Sequence, residues 1–314
     1  MKVFVAGATG ALGKQLVPRL VERGHEVTGM TRTDSKRALL EELGARPVVA
    51  DALDADAVGE AVGTAEPDVV VHQLTSIRSF DPRNVDRSFA ETNRLRTEGT
   101  DVLLAAARAA GAGRFVAQSF TSWPYKQVGG PVKTEEDPLD DSPPASISET
   151  LAAIKHVERV VIEADGIDGV VLRYGGFYGP GTSLASGGEQ FEAIRERKFP
   201  VVGDGAGVWS FIEIRDAADA TVAAIERGEP GIYNIVDDDP APVSEWLPAA
   251  AKAVGAKPPR RFPRWLARIL AGEAMTSMMT ETRGASNEKA KRELGWTPAH
   301  PSWRQGFAAA AGSS

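Results

Sequence analysis

The segment Gly7-Ala8-Thr9-Gly10-Ala11-Leu12-Gly13 constrains this chain more than any other. It follows a short apolar run, Lys2–Ala6. It opens a stretch in which Leu12, Leu16 and Leu20, with Val17 and Val21, recur at spacings of three and four. That recurrence is one apolar face of a helix. Glycines at a strand-to-helix junction permit a tight turn and let backbone amides approach a pyrophosphate. The partial positive charge at the helix N-terminus then faces that anion. The bland alternative is a glycine-rich turn with no ligand, but the strand before it and the amphipathic helix after it are the context a nucleotide site requires. Pro18 is expected to bend this helix, and Gly24 to end it.

The same alternation continues along the chain. Glu26–Met30, Arg46–Ala50, Asp68–His72, Arg114–Gln118 and Gly169–Arg173 read as further strands. Helix-length segments separate them, among them one carrying Val102, Leu103 and Ala106 on one side and another over Leu151–Ala164. Strands spaced by helices pair in parallel, and right-handed crossovers place helices on both faces. The predicted fold class is therefore α/β, a Rossmann-type doubly wound parallel sheet with a smaller C-terminal substrate lobe. After Tyr174 the segment Gly175–Gly188 is glycine-rich and is expected to be loop, with a mobile part. Val208–Ile214 reads as one strand, with a helix capped by Asp216 and running to Arg227, and then a strand at Gly231–Val236. Residues 1–174 and 208–235 are assigned to the dinucleotide-binding domain. Residues 175–207 and 236–314 are assigned to a lobe covering the carboxyl ends of the strands. The tail Ala308–Ser314 is expected to fray.

Composition removes whole classes of chemistry. The chain has 314 residues and no cysteine, which excludes disulfides, thiolate metal sites and cysteine nucleophiles. His25, His72, His156 and His300 lack metal-ligand spacing, so no metal is expected. A net charge of −7 argues against a nucleic-acid partner. Strand-like sequence begins at Lys2, and no long apolar run occurs, so neither a targeting segment nor a membrane span is expected, and the default location is cytoplasmic.

The glycine spacing resembles the short-chain dehydrogenase/reductase superfamily, in its extended branch of NAD-dependent epimerases and dehydratases. Ala50-Asp51-Ala52-Leu53-Asp54 resembles the family's adenine-contacting segment, and Asp68–Leu74, with Gln73, the strand under the cofactor. Asn93 and Gly99-Thr100 resemble its central helix. Arg173 through Tyr178-Gly179-Pro180-Gly181, Phe211–Ala218 and Glu293–Pro298 also match it. The resemblance covers nearly the whole chain. It implies a nicotinamide dinucleotide held by Gly7, Thr9, Gly10, Ala11, Leu12, Gly13, Thr31, Arg32, Asp51, Ala52, Gln73 and Lys155. It also implies a small-molecule substrate, with a sugar nucleotide as the family's usual choice, and leaves a homodimer open. NAD binders of this fold place an acid at the end of the second strand. This chain has Thr31 and Arg32 there, and Arg32, assisted by Thr33, Ser35 or Lys36, suits the 2′-phosphate of NADP. NADP is the expected cofactor, with NAD as the alternative. Asp51 could instead cap a turn, Asn93 and His72 could be packed polar groups, and Arg260, Arg261, Arg264 and Arg268 form a solvated face.

The family pattern breaks at its proton donor. A tyrosine four residues before a lysine puts both side chains on one helix face. Lys155 occupies the lysine position, but the tyrosine position is Leu151, which transfers no proton. The hydroxyl stretch reads Gln118-Ser119-Phe120-Thr121-Ser122-Trp123-Pro124-Tyr125, with Phe120 at the catalytic position unless the alignment shifts by one to Thr121. The candidate catalytic residues are therefore Thr121, Ser122, Tyr125 and Lys155, with Tyr125 as a relocated donor. Glu149 and His156 lie near the same helix. Trp123, Phe177, Tyr178 and Trp209 are the candidate substrate-binding residues, unless they are core aromatics. Three functions fit. One is an NAD(P)(H)-dependent oxidoreductase or epimerase/dehydratase-like enzyme with non-standard acid–base residues. The others are a dinucleotide-binding sensor without catalysis and a non-redox, cyclase-like catalyst. The intact loop after the sixth strand favours the enzyme.

Overall fold

The structure is a computed structural model that describes residues 1–77 and 81–312. Its centre is one parallel sheet of seven strands: β1 Lys2–Ala6, β2 Glu26–Thr31, β3 Arg46–Val49, β4 Val69–His72, β5 Arg114–Phe120, β6 Asp168–Tyr174 and β7 Gly231–Ile235. Their order is β7-β6-β5-β4-β1-β2-β3. The direction of winding reverses between β1 and β4, so a crevice opens at the carboxyl ends of those two strands. The strands read as apolar runs because both faces are covered. Val69, Val70, Val71 and His72 of β4 are all buried.

Side chains alternate between two cores. Val3, Val5, Val69, Val71, Val116, Val170 and Leu172 pack under α1 (Ala11–Glu22) and the helix Ile214–Arg227. Phe4, Val70, Phe115 and Val171 face the opposite layer, which includes α3 (Ala55–Ala65), whereas α2 (Arg37–Glu42) sends Leu40 into the core on the α1 side. One long helix completes that layer, built from α4 (Val85–Arg94), a π-helical turn at Leu95–Gly99 and α5 (Thr100–Ala109). Beside it runs α6 (Ser148–Ile162). Helix α1 is continuous through Pro18.

The second half departs from the expected pattern in three ways. Val208–Ile214 is not one strand. Val208–Trp209 pairs antiparallel with Ala241–Pro242, and Phe211–Glu213 pairs parallel with Gly176–Tyr178. Only Gly231–Ile235 of that region joins the central sheet. The following helix starts at Ile214, not at Asp216. Glu213 caps it by accepting from the amides of Arg215 and Asp216, while Asp216 accepts the amide of His300 at 2.7 Å. The tail is docked: Trp303–Gly312 is helical, Ala310 is buried, and its carbonyl accepts from the Ser186 amide at 2.9 Å. Ser313 and Ser314 lie outside the described residues.

The lobe has its own core of Tyr178, Phe191, Phe211, Trp246, Trp303 and Phe307. Ala290, Leu294 and Trp296 return to pack on the central domain under α1. Within Gly175–Gly188 the glycines at its ends meet closely approaching backbone. A Cβ at Gly175 would lie 2.8 Å from the Ser210 carbonyl oxygen, and one at Gly188 2.5 Å from that of Ser183. No helix among the described residues is long and apolar enough to cross a membrane.

Candidate active site

The glycine turn forms the floor of the crevice. Gly7 has φ +95°, and a Cβ there would lie 2.5 Å from the Gln73 carbonyl oxygen. A Cβ on Gly13 would lie 2.3 Å from the Gly7 carbonyl oxygen. The Gly10 amide donates to the Gly7 carbonyl at 3.0 Å, and Gly10 caps α1 with no side-chain hydrogen bond. The first turn of α1 carries no acid. An uncapped, acid-free helix start beside a cleared backbone fits a dinucleotide's phosphates. Thr9 and Ala11 lie half-buried at this turn, whereas Leu12 points into the core.

Around this floor the polar groups fall into two kinds. Some are already engaged. Thr31 is buried at the end of β2, and Arg32 beside it is ion-paired with Glu91 at 2.6 Å. Asp51 accepts from the Leu53 amide at 3.0 Å and so holds its own turn, with Ala52 buried next to it. His72 Nδ1 accepts from the Leu74 amide, leaving Nε2 to donate toward the Leu95 carbonyl and Thr100. Burial lowers its pKa to about 4, so it is a neutral packed histidine. Others are buried without a partner, namely Gln73 Oε1, Asn93 Oδ1 and Ser122 Oγ. Ser122, just past β5, adopts φ +71°, a conformation costly for a residue with a Cβ. Gln73 Nε2 donates to the Tyr174 hydroxyl at 3.2 Å. That hydroxyl donates in turn to Thr221, whose own proton goes to the Ala217 carbonyl. This chain fixes the amide so that Oε1 is the free end. Orphaned acceptors around a cleared cradle fit a bound dinucleotide.

All four tyrosines of the chain are buried, and none stands on α6. Tyr125 donates to Asn234 Oδ1 at 2.8 Å and accepts from Arg173 Nη1 at 3.0 Å. Arg173 is held by both oxygens of Glu158 at 2.7 and 2.6 Å, and Ser119 donates to the same carboxylate. Thr121 joins this network through Asn234. Burial, opposed by Arg173, raises the Tyr125 pKa. Tyr174 is tied to Gln73 and Thr221, and burial raises its pKa strongly. Tyr178 lies edge-on to Phe307 with its ring over Gly306, and burial likewise raises its pKa. Tyr233 donates to the Glu229 carbonyl at 2.9 Å. Leu151 is 2% exposed, and Lys155 Nζ donates to the Asp140 carbonyl at 2.5 Å. The structure does not bring Tyr125 and Lys155 together by any hydrogen bond.

The aromatic candidates separate by location. Tyr178 and Trp209 belong to the packing of the lobe, where Trp209 stacks 5.0 Å from Trp246 and donates to the Met278 carbonyl. Phe177 packs 5.3 Å from Tyr174. Trp123 lies in a smaller cluster with Val85, Phe89, Ile147, Ala274 and Met278, where the central domain meets the lobe. Sequence reasoning missed Phe89 and Arg96. Arg96 lies three residues after Asn93 and four before Thr100, the spacing of one helix face. The possible metal ligands among the described residues are Glu213, Asp216 and His300. They are already engaged with protein groups: Arg215 pairs with Glu213 at 2.8 Å, and the His300 amide donates to Asp216 at 2.7 Å. A cleft of about 380 Å³ lies at the far end of α1, lined by Arg19, Arg23, Asp219 and Glu226, away from the glycine turn.

Residues 3–236 match the model of the NAD dependent epimerase/dehydratase family. The chain belongs to that family. It is 48% identical over 310 residues to a protein from a Streptomyces species named 3-diazoavenalumate denitrifying reductase, covering 98% of this chain and 99% of that one. The structure of a Thermus thermophilus UDP-glucose 4-epimerase complexed with NAD is similar, with TM-score 0.75, 25% identity, and coverage of 99% and 98%. A human epimerase family protein with NADPH shares the fold, with TM-score 0.77, 20% identity, and coverage of 100% of each chain. This chain is an NAD(P)-dependent enzyme of the oxidoreductase and epimerase type, acting on small molecules. The sensor and cyclase alternatives are not favoured.

Proposed function

We propose that this enzyme reductively removes nitrogen from a diazo-bearing carboxylate, the chemistry for which its 48%-identical relative is named. The observation that carries this reading is that no phenol is exposed: even the Tyr178 hydroxyl, which has no hydrogen-bond partner among the described residues, is fully buried. Leu151 occupies the proton-donor position, and all four tyrosines are buried, each tied to other groups or sealed in a core. A carbonyl that accepts hydride needs a donor within about 3 Å. Replacing nitrogen at a diazonium carbon needs none, because R–N₂⁺ and H⁻ give R–H and N₂. A nicotinamide held by the glycine turn would supply that hydride.

The chain's own residues hold and shield the reactants. Gly7, Gly10 and Gly13 clear the backbone for the diphosphate, with Thr9, Ala11 and Leu12 presenting the turn. Gln73 Oε1 and Ser122 Oγ would offer their unpartnered atoms to the cofactor, Lys155 would leave the Asp140 carbonyl to join them, and Asp51 with Ala52 would border the adenine side. Thr31 and Arg32 favour NADP(H), with Arg32 leaving Glu91 for the 2′-phosphate. Phe89, Trp123 and Met278 exclude water from the reacting end. The test is turnover of 3-diazoavenalumate with NADPH and with NADH, followed as cofactor oxidation and nitrogen release. We expect turnover with a preference for NADPH, and a roughly tenfold weaker NADPH affinity in Arg32→Ala, about 1.4 kcal/mol. Epimerisation of UDP-glucose with no consumption of the diazo compound would overturn the reading.

A further inference from the structure

Two arginines are buried at this end of the molecule, and the fold treats them oppositely. Arg173 is met by both oxygens of Glu158 and by Tyr125. Arg96, 7% exposed, has Nε and Nη1 buried with no hydrogen-bond partner. Burial lowers its pKa to about 10, no carboxylate among the described residues offsets that shift, and the group stays cationic at neutral pH. It sits in the π-helical turn Leu95–Gly99, a widened turn of the kind found at functional sites. A buried charge that meets no carboxylate among the described residues is costly, so a group that pairs with it from outside is favoured.

The surroundings specify that group. The guanidinium lies 5.9 Å from the Phe89 ring centroid, and Phe89 packs, as Trp123 and Met278 do, against the cluster of Val85, Ile147 and Ala274. His72 nearby is neutral, with both ring nitrogens engaged. One turn before, Asn93 donates to Thr150 and leaves Oδ1 unpartnered. One planar cation at the edge of an apolar, aromatic-lined region matches a single carboxylate on a flat apolar body.

We propose that Arg96 receives the substrate's carboxylate, and that the substrate is an aromatic or conjugated acid whose apolar body lies along Phe89, Trp123 and Met278. This rests on the proposed reaction for the identity of the substrate but not for the anion site. The test titrates the NADP⁺-loaded enzyme with cinnamate and with cinnamide, followed by tryptophan fluorescence, in wild type, Arg96→Met and Arg96→Lys. Cinnamate is expected to bind at least tenfold tighter than cinnamide in wild type. The difference is expected to vanish in Arg96→Met and to survive in part in Arg96→Lys. Arg96→Met removes an unpaired charge and is expected to fold, and Arg96→Lys preserves the charge if it does not. Equal binding of the two probes in wild type would overturn the proposal, as would a preference surviving in Arg96→Met. So would loss of NADP⁺ affinity with cinnamate binding intact, which would assign Arg96 to the cofactor. Turnover of 3-diazoavenalumate against its methyl ester separates the two ideas. Arg96-dependent cinnamate binding without any diazo turnover would sink the proposed reaction and leave the anion site standing.

Discussion

Replacing Tyr125 by phenylalanine distinguishes a structural phenol from a relocated proton donor. In the structure its hydroxyl makes two bonds, one donated to Asn234 and one accepted from the Arg173 guanidinium. A neutral hydrogen bond contributes about 0.5–1.5 kcal/mol and one to a charged group about 1.5–3. Arg173 keeps its two bonds to Glu158, and Asn234 keeps the one from Thr121, so neither partner is stranded completely. The expected cost is therefore nearer the low end of the sum, about 2–3 kcal/mol, with no cavity because the ring remains. Urea unfolding of wild type and Tyr125→Phe measures it as a lower midpoint at unchanged slope. Turnover per folded molecule and cofactor affinity should both stay within about twofold. A fall in turnover of a hundredfold or more with an unchanged unfolding midpoint would refute this and restore Tyr125 as the donor.

Two further perturbations probe the floor and the wall of the crevice. Gly13→Ala places a methyl 2.3 Å from the Gly7 carbonyl oxygen and 2.6 Å from Ala8 backbone atoms, so α1 must move; cofactor affinity should fall at least tenfold, with about 1–3 kcal/mol of overpacking cost, read by fluorescence titration and unfolding. His72 has its pKa lowered to about 4 from the ordinary 6.5, so between those values the unfolded chain binds the extra proton and stability falls as pH drops. The loss reaches about 3 kcal/mol across that window and should be missing in His72→Gln, as measured by unfolding midpoints at pH 7.5 and 4.5.

What was legible in the sequence follows from how far each determinant reaches. The first six strands and the glycine turn are written in local runs, and each strand lies within a residue or two of where its pattern places it. Val208–Ile214 is mostly apolar, broken by Ser210 and Glu213, and reads as one strand. Ser210 divides it, because its carbonyl accepts from Gly176 and its hydroxyl from the Ala285 amide, partners far away in sequence. The helix cap moves to Glu213 for a similar reason. Its carboxylate bonds two amides and Arg215 together, while Asp216 is needed by His300. Tyr125 sits beside the expected hydroxyl stretch, but Asn234 and Arg173, which engage its hydroxyl, arrive from β7 and β6. Aromatic residue type alone does not separate Trp123 at the domain junction from Tyr178 and Trp209 in the lobe's packing.

Leu151 is the departure that local sequence does reveal, yet its meaning depends on tertiary structure. A leucine at the donor position is compatible with ordinary carbonyl reduction if a phenol from elsewhere reaches the reacting atom. Tyr125, Tyr174 and Tyr233 are each committed to other partners, and Tyr178 is sealed behind Phe307 and Gly306. Arg96 is the complementary feature, a buried cation whose Nε and Nη1 have no partner among the described residues. The proposed reaction joins the two. A substrate whose leaving group departs as neutral dinitrogen asks for no phenolic proton, and a carboxylate on the same substrate supplies the charge that Arg96 lacks. Product formed in D₂O should then carry no deuterium at the carbon that lost nitrogen. Deuterium at that carbon would mean that a solvent-derived proton is delivered there, and the reasoning from Leu151 would fail.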